Sequence, residues 1–288
     1  MVKPLHCVAA KAASEAPILR RVQAAGRMIA YREAGDAAAP ALLLLHGIGS
    51  GSLSWAGQLE SLPAQGFRVL AWDAPGYAES EALAAAAPAA ADYAEALAAF
   101  VVAIGLERFS LIGHSLGALM AAAFFRLPCA GRVARLVLAS PAAGYGAAPE
   151  ETRRRKTEER LAAMARLGPS GLAQERAAIL LSPAASAEKI EKIRAVMRGL
   201  HPEGYTQAAR MLRQADIFAD ASCIEVPTLV LCGDADAVTP EAGCRRVATA
   251  IAGARYESLP GLGHASYVED PALFNAALLR FVSGTDKS

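Results

Sequence analysis

The sequence lacks an excess of charge of either sign. Its 29 basic and 28 acidic residues leave a formal net charge of +1 over 288 residues. A protein that binds nucleic acid or an anionic membrane through a broad electrostatic field carries a marked excess of positive charge. We therefore predict no nucleic-acid partner and no membrane partner, and expect a small molecule instead.

The sequence also lacks paired cysteine motifs. Its five cysteines form no CxxC pair, and an odd number disfavours a disulfide framework. They are Cys7, Cys129, Cys223, Cys232 and Cys244. We interpret them as small apolar side chains in a reducing compartment and predict no zinc site.

Long hydrophobic runs are missing too, although 54% of the residues are apolar. The richest stretches, 41–45 and 96–106, are shorter than the roughly 18 residues of a membrane span. The amino terminus carries Lys3, but His6 and Lys11 interrupt any apolar segment of the kind found in secretory signals. We expect a soluble, cytoplasmic protein.

Short β-branched or leucine-rich segments alternate with alanine-rich helical segments along most of the chain. The predicted strands cover 27–35, 41–46, 67–73, 109–114, 134–140, 227–233 and 254–261. Nearly continuous apolar character is typical of strands that are buried on both faces. The pattern predicts an α/β fold with a mostly parallel sheet and helices on both of its faces.

Two helices and one interruption complete the predicted organisation. A helix over 92–105 begins at Asp92 with Glu95 as its capping box, and another covers 270–282. Between 141 and 222 only helical patterns remain. We predict an N-terminal extension (1–25), a core (26–140 and 223–288) and an inserted helical cap (141–222).

The cap contains a run of four cations at 153–156. Acidic residues stand three or four positions away at 150, 151, 158 and 159, so the charges neutralise one another on a helix surface. We interpret this run as a solvated face rather than a binding site. Four apolar cap residues could face a substrate, although helical spacing favours packing within the cap. They are Met164, Leu180, Met211 and Phe218.

The motif GHSLG at 113–117 places Ser115 between Gly113 and Gly117. It ends a predicted strand and precedes an alanine-rich helix, the setting of a nucleophile elbow. A side chain at either glycine is expected to clash with the neighbouring strand or helix. The turn then exposes the serine hydroxyl at the carboxyl end of the sheet.

A serine nucleophile requires a base, and that base requires an orienting acid. Asp236 follows one predicted strand and His264 follows the next, so the order Ser115, Asp236, His264 is the order that the motif predicts. Asp234 is the rival acid and is more typical of a turn. The other histidines fit less well, His114 because we expect its side chain to pack away from the serine. The others are His6, His46 and His201.

Backbone donors for an oxyanion are the third requirement. A glycine-rich turn follows the strand at 41–46, and its backbone can approach a ligand closely. The N–H groups of Ile48 and Leu116 are our candidates. The same turn does not match the GxGxxG pattern of a dinucleotide site, because Ser52 stands where the third glycine belongs.

Together these segments resemble the α/β-hydrolase family, in particular its cap-bearing branch of esterases, enol-lactonases and carbon–carbon bond hydrolases. The likeness covers roughly 26–140 and 223–283. It rests on five segments: HGIG (46–49), WDAPGYAES (72–80), GHSLG (113–117), GDADAVTP (233–240) and GLGHASYVEDP (261–271). The resemblance implies that Ile48 and Leu116 supply the oxyanion hole. It also separates the chain from related dehalogenases and epoxide hydrolases, which use aspartate at the position of Ser115.

The chain departs from the family at several positions. Ala78 stands where a second glycine is usual, and we expect this change to alter a turn but not the chemistry. Carbon–carbon hydrolases tend to carry asparagine, serine and an aromatic residue at the positions of His114, Ile48 and Ala265. The resemblance therefore favours ester or lactone hydrolysis. Asp73 is interpreted as a structural residue of its turn.

The sequence thus predicts a serine hydrolase that acts on small esters or lactones without a metal or an organic cofactor. Its activity is expected to fall at acid pH as His264 becomes protonated. Cleavage of a carbon–carbon bond in a vinylogous diketone is the alternative, with Arg194 or Arg210 holding the substrate's carboxylate. A receptor that uses the cap as a clamp is a third hypothesis.

Overall fold

The computed structural model describes residues 17–284, so Cys7 and most of the predicted N-terminal extension lie outside the described residues. Eight strands form one sheet. They are β1 (Ile18–Ala24), β2 (Arg27–Ala34), β3 (Ala41–Leu45), β4 (Arg68–Trp72), β5 (Phe109–His114), β6 (Val133–Ala139), β7 (Thr228–Gly233) and β8 (Arg255–Leu259). The seven predicted strands are all present, with bounds that differ by no more than two residues.

The strand order is β1-β2-β4-β3-β5-β6-β7-β8. β4, β3, β5, β6, β7 and β8 run parallel to one another, whereas β1 and β2 are antiparallel to their neighbours. Every residue of β3, β5 and β7 is buried, as continuous apolar strands predict. The carboxyl ends of these strands therefore meet along one edge of the sheet, where crevices for ligands form in α/β folds.

The first strand corrects the predicted N-terminal extension. Ile18–Ala24 is an edge strand that pairs with β2 through a tight turn at Ala25 and Gly26, whose φ values are 47° and 81°. Positive φ at both turn residues is typical of a two-residue hairpin. The segment contains charged residues and lies largely exposed, so it lacks the apolar run that identified the other strands.

Helices cover both faces of the sheet. They are α1 (Ala56–Ser61), α2 (Ala90–Ala103), α3 (Leu116–Phe124), α4 (Glu150–Arg176), α5 (Ala187–Arg198), α6 (Pro202–Gln214), α7 (Ile217–Ala221), α8 (Glu241–Ala250), α9 (Ser266–Glu269) and α10 (Pro271–Val282). The predicted start of α2 was wrong by two residues. Ala89 is its N-cap, and the Asp92 carboxylate accepts a hydrogen bond from the Ala89 N–H at 2.7 Å. No helix within residues 17–284 has the length and apolar character that a membrane span requires.

The segment from 141 to 222, which we call the cap, contains only helices among its regular elements. Its first helix, α4, is broken at Gly168, whose φ is 60°, and Pro169 follows directly. α4 packs against both α5 and α6. The basic run at 153–156 pairs with neighbouring acids on the surface of α4, Arg154 with both Glu151 and Glu158 at 2.9 Å, as the charge pattern predicted.

Candidate active site

Ser115 lies in a sharp turn between β5 and α3. Its backbone has φ 52° and ψ −110°, a region that non-glycine residues rarely occupy. A Cβ atom at Gly113 would lie 2.6 Å from the Gly117 carbonyl oxygen, and one at Gly117 would lie 2.6 Å from the Leu45 carbonyl oxygen. The two glycines therefore allow the backbone of the turn to pack against β3 and α3 with Ser115 at its tip.

His264 and Asp236 form a buried pair at the carboxyl edge of the sheet. The Nδ1 atom of His264 lies 2.9 Å from Oδ2 of Asp236, and the two residues are 3% and 5% exposed. The backbone N–H groups of Val238 and Thr239 donate to Oδ1 of Asp236 at 2.8 and 2.9 Å. Hydrogen bonding to a carboxylate on both oxygens holds it in one orientation. Asp236 in turn orients the imidazole.

The pKa of Asp236 reflects two opposing influences. Burial raises this pKa. The hydrogen bond and charge of His264, together with the donors of Thr239, lower it by more, and the result is a pKa of about 2. Asp236 is therefore ionised at neutral pH and favours the Nδ1-protonated tautomer of His264. That tautomer leaves Nε2 free to accept a proton.

The rival carboxylate Asp234 has another role. Its Oδ1 atom accepts a hydrogen bond from the Gly261 N–H at 2.7 Å, and its side chain is exposed. It closes the turn before His264 and does not contact the imidazole. The geometry favours Asp236 over Asp234 as the orienting acid.

Ser115 and His264 line the same cavity, which has a volume of about 300 Å³ and lies between the sheet edge and the cap. The Ser115 hydroxyl forms no hydrogen bond with another residue in the described part of the chain. Catalytic hydrogen bonds are often long in a ligand-free site and shorten when substrate binds. The structure thus joins Asp236 to His264 directly and places Ser115 in the cavity that His264 faces.

The two proposed oxyanion donors, Ile48 and Leu116, also line this cavity. Leu116 is the first residue of α3, where a backbone N–H has no carbonyl partner within its own helix. The Gly47 carbonyl, in the peptide that ends in the Ile48 N–H, lies 2.8 Å from Nδ1 of His46. In a trans peptide the N–H points away from the carbonyl. The His46 contact therefore fixes the direction of the Ile48 N–H.

His46 is a structural residue that the sequence analysis set aside. Its Nε2 atom accepts a hydrogen bond from the Ala74 N–H at 3.0 Å, so Nδ1 is the atom that carries the proton and donates to Gly47. Burial lowers the pKa of His46 to about 4, and the ring is neutral at physiological pH. The Tyr77 hydroxyl donates to the Ile48 carbonyl at 2.9 Å. Together these contacts hold the glycine-rich turn.

His114, whose side chain we expected to pack away from Ser115, packs against the loop that carries His264. Its Nε2 atom lies 3.0 Å from the His264 carbonyl oxygen, and the two rings are 4.8 Å apart. Burial lowers the pKa of His114 to about 3, as does the proximity of His264, so the ring is neutral and donates from Nε2. His114 thus supports the loop that carries His264. Its position before the serine gave no signal of this contact.

Two further supporting residues escaped the sequence analysis. The Thr239 hydroxyl lies 2.8 Å from Oδ2 of Asp236 and 3.1 Å from Nδ1 of His264. The buried carboxylate of Glu269 accepts hydrogen bonds from the N–H groups of Gly263 and Ser182 at 2.8 and 3.0 Å. Glu269 therefore connects the His264 loop to the cap. The TP pair after Asp236 was a usable signal for Thr239, whereas a contact across 87 residues leaves no local pattern.

Most of the cap residues that line the cavity are not those that the sequence analysis named as possible substrate contacts. Of the four apolar candidates only Leu180 lines the cavity, and Met164 and Met211 are buried in the core. Arg194 pairs with Glu191 at 3.7 Å, and Arg210 donates to the Ala86 carbonyl at 2.7 Å outside the cavity. The cap residues that line the cavity with polar side chains are Tyr145, Arg160, Arg176 and Tyr205.

Comparisons with known proteins agree with this architecture. The chain is 31% identical over 258 residues to a protein of Variovorax paradoxus named "Putative carbamate hydrolase RutD", covering 88% of this chain and 95% of that protein. A thermophilic esterase from Thermogutta terrifontis, solved with malate bound, has a TM-score of 0.81 at 27% identity and covers 94% of this chain and 100% of its own.

A second solved structure, the enol-lactonase from Burkholderia xenovorans LB400, has a TM-score of 0.80 at 25% identity, covering 92% of this chain and 100% of its own. These relatives support a hydrolase as the general class of this protein. The family model of the alpha/beta hydrolase fold matches residues 40–271. With that match over most of the chain, and with the sheet order and elbow described above, the chain belongs to the α/β-hydrolase family.

Proposed function

We propose that this protein is a serine hydrolase that cleaves small carboxylic esters or lactones through an acyl-enzyme on Ser115. The observation that carries the proposal is the shared cavity: Ser115 at a strained turn faces the same 300 Å³ space as His264, and His264 is hydrogen-bonded to the ionised Asp236. A nucleophile, a base and an orienting acid are the groups that acyl transfer requires.

In the first half-reaction the Ser115 oxygen attacks the substrate carbonyl while Nε2 of His264 accepts the hydroxyl proton. The Asp236 carboxylate stabilises the imidazolium that forms, because its Oδ2 lies 2.9 Å from Nδ1. The carbonyl oxygen becomes an oxyanion that accepts hydrogen bonds from the N–H groups of Ile48 and Leu116. The proton then passes from His264 to the departing alkoxide, and the ester bond breaks.

In the second half-reaction a water molecule gives its proton to His264 and attacks the acyl-enzyme. The same oxyanion donors stabilise the second tetrahedral intermediate. His264 returns the proton to the Ser115 oxygen as the acid departs. Every proton transfer is thus assigned to a side chain of this protein, and these reaction steps require no metal or organic cofactor.

The cavity size sharpens the expected substrate range. A volume of about 300 Å³ lies at the lower end of the range for small-molecule sites. Measurement of initial rates on p-nitrophenyl esters from acetyl to palmitoyl tests this point. We expect hydrolysis of acetyl and butyryl esters and little activity on palmitoyl esters.

The matched variants are Ser115→Ala and Ser110→Ala. Ser110 lies within β5, five residues before Ser115. Ser115→Ala should abolish activity and labelling by a fluorophosphonate, whereas Ser110→Ala should retain both. Activity that survives in the folded Ser115→Ala variant contradicts the proposal.

A carbamate is a second candidate substrate, because a relative 31% identical to this chain carries the name of a carbamate hydrolase. The same serine attack applies to a carbamate carbonyl, but nitrogen donation makes that carbonyl less electrophilic. Parallel assays on ethyl carbamate and ethyl acetate separate the two substrate classes. Faster turnover of the carbamate, lost in Ser115→Ala, would select it.

A further inference from the structure

The arginine, lysine, aspartate and glutamate side chains that line the cavity of Ser115 are all of one sign, positive. Arg160 and Arg176, both from α4 of the cap, contribute to its wall. None of the described residues that line the cavity is an aspartate or a glutamate. A cavity with charge of a single sign favours a ligand of the opposite sign.

Arg160 is bound only to neutral groups. Its Nη2 atom lies 3.3 Å from the Tyr145 hydroxyl, and its guanidinium also contacts the hydroxyl of Tyr205. No carboxylate lies within 4 Å of it in residues 17–284. Two hydroxyls leave most of the five N–H donors of a guanidinium without an acceptor. No nitrogen of this half-buried guanidinium is both buried and without a partner, so the remaining donors are accessible to a ligand.

Other arginines of α4 have carboxylate partners, which Arg160 lacks among the described residues. Arg154, Arg155 and Arg166 each pair with a glutamate, at 2.9, 2.8 and 3.6 Å. Their charge is therefore neutralised on the protein surface. Arg160 faces the cavity without such a partner, and Arg176, which is exposed at the cavity wall, also has no carboxylate partner among the described residues.

We propose that Arg160 binds a carboxylate of the substrate, so that the natural ester or lactone carries a carboxylate group besides its reacting carbonyl. This inference rests on the proposed function and names the substrate class of that site. The planar guanidinium matches a carboxylate through two parallel hydrogen bonds. Tyr145 and Tyr205 hold the guanidinium in place, and Arg176 adds positive charge at the cavity wall.

The test uses esters that differ only in charge. Monoethyl adipate and ethyl adipamate place the carboxylate or its neutral amide on the acyl side, and para-acetoxybenzoate and para-acetoxybenzamide place it on the alcohol side. We expect the wild type to prefer the anion within one of the pairs. Arg160→Gln should lower kcat/KM for that anion by about 10- to 100-fold, mainly through KM, and should change the neutral ester by less than about threefold.

Two variants serve as controls. Arg166→Gln removes the same charge from the same helix, but Arg166 is paired with Glu175 and does not line the cavity, so its kinetics should match the wild type. Arg160→Lys keeps the charge but loses the planar fork, and it should recover part of the preference for the anion. Circular dichroism verifies that each variant is folded.

Two outcomes overturn the proposal while the proposed function stands. One is equal loss of activity on the anion and its amide in Arg160→Gln, which assigns Arg160 to cap structure alone. The other is a wild type that hydrolyses neutral esters at least as well as anions in both pairs.

A binding measurement tests the carboxylate site independently of the proposed hydrolase function. Calorimetry on Ser115→Ala, which does not turn over substrate, should show tighter binding of monoethyl adipate or para-acetoxybenzoate than of the matching amide. Addition of Arg160→Gln should weaken that binding by about tenfold or more. If this holds while the wild type hydrolyses no ester, the carboxylate site stands and the proposed function fails.

Discussion

Asp73 and Asp236 are two buried carboxylates at the same edge of the sheet, and their pKa values are shifted in opposite directions. Asp73 directly follows β4 and is 1% exposed, and Asp236 follows β7 and is 5% exposed. Burial raises the pKa of Asp73 to about 6 despite two hydrogen bonds from Ser52. The pKa of Asp236 falls to about 2.

The difference between the two residues lies in their partners. Ser52 offers Asp73 one backbone N–H and one hydroxyl, both neutral, at 2.7 and 2.8 Å. Asp236 accepts from three groups of Val238 and Thr239 and also faces His264, which can become a cation. The two residues are nearly equally buried, and the number and charge of their hydrogen-bond partners give the opposite directions of their pKa shifts.

The strongest test of this comparison replaces each carboxylate by its neutral amide. Asp236→Asn removes the charge that orients and stabilises the His264 imidazolium, and kcat should fall roughly 1,000- to 10,000-fold on a short-chain p-nitrophenyl ester. Asp73→Asn should stay within about threefold of the wild type, because Asp73 bonds to Ser52 and not to the cavity. Equal losses in two folded variants would remove the distinction between the residues.

The pH dependence of stability should separate the two residues in opposite directions. The raised pKa of Asp73 means that the folded state binds this proton more tightly, so stability falls as pH rises from about 4 to about 6, by about 3 kcal/mol. Urea unfolding across that range should show the fall in the wild type and lose it in Asp73→Asn.

For Asp236 the sign is reversed. Its lowered pKa contributes stability above pH 4, and that contribution is lost as pH falls from about 4 to about 2. Asp236→Asn should flatten the unfolding profile below pH 4 and leave the range from 4 to 6 unchanged. A profile in which Asp73→Asn flattens the acid range instead would contradict the assigned shifts.

A smaller change should follow when Asp236 loses one donor. Thr239→Val removes the hydroxyl 2.8 Å from Oδ2 of Asp236. We expect a loss of about 2 kcal/mol in the free energy of unfolding and a several-fold loss of kcat, because a buried hydrogen bond to a charged group is removed. Thr239→Ser keeps the hydroxyl and should retain most of the activity. If Thr239→Ser, which lacks only the methyl group, loses as much as Thr239→Val, the hydroxyl alone does not account for the loss.

The smallest effect is expected at Asp234, which lies two residues before Asp236. Asn at this position can still accept the Gly261 N–H, and the side chain is exposed. Asp234→Asn should change kcat by less than about twofold and the free energy of unfolding by less than about 0.5 kcal/mol. A loss of activity comparable to that of Asp236→Asn would reverse the choice between the two acids.

The sequence predicted the core well, because buried parallel strands require continuous apolar segments. It missed β1, an edge strand whose exposed, charged residues carry no such pattern. At Ala78 it noted only an unusual residue in a turn. The structure shows φ 45° there, a left-handed conformation that glycine adopts without strain, so the alanine is accommodated at a local cost.

The site divides in the same way. Ser115, Asp236 and His264 follow strand ends, and strand order alone predicts that they approach one another. The cap arginines do not follow such a rule. Arg160, Arg194 and Arg210 are alike as residues in helices, and only the packing of α4, α5 and α6 and the break at Gly168 decide which one faces the cavity. This packing is a property of the tertiary structure, and no local sequence pattern predicts it.

The contacts of Glu269 limit which residues of the cap can be replaced without disturbing the loop of His264. Ser182 of the cap and Gly263, next to His264, share one buried carboxylate, and a Cβ at Gly263 would lie 2.3 Å from the Leu181 carbonyl carbon. A chimaera that replaces all of residues 141–222 removes the two donors that Ser182 offers to Glu269. It also removes the cap backbone against which the loop of His264 packs. A replacement of the cap that keeps Leu181 and Ser182 preserves the contacts with Glu269 and Gly263.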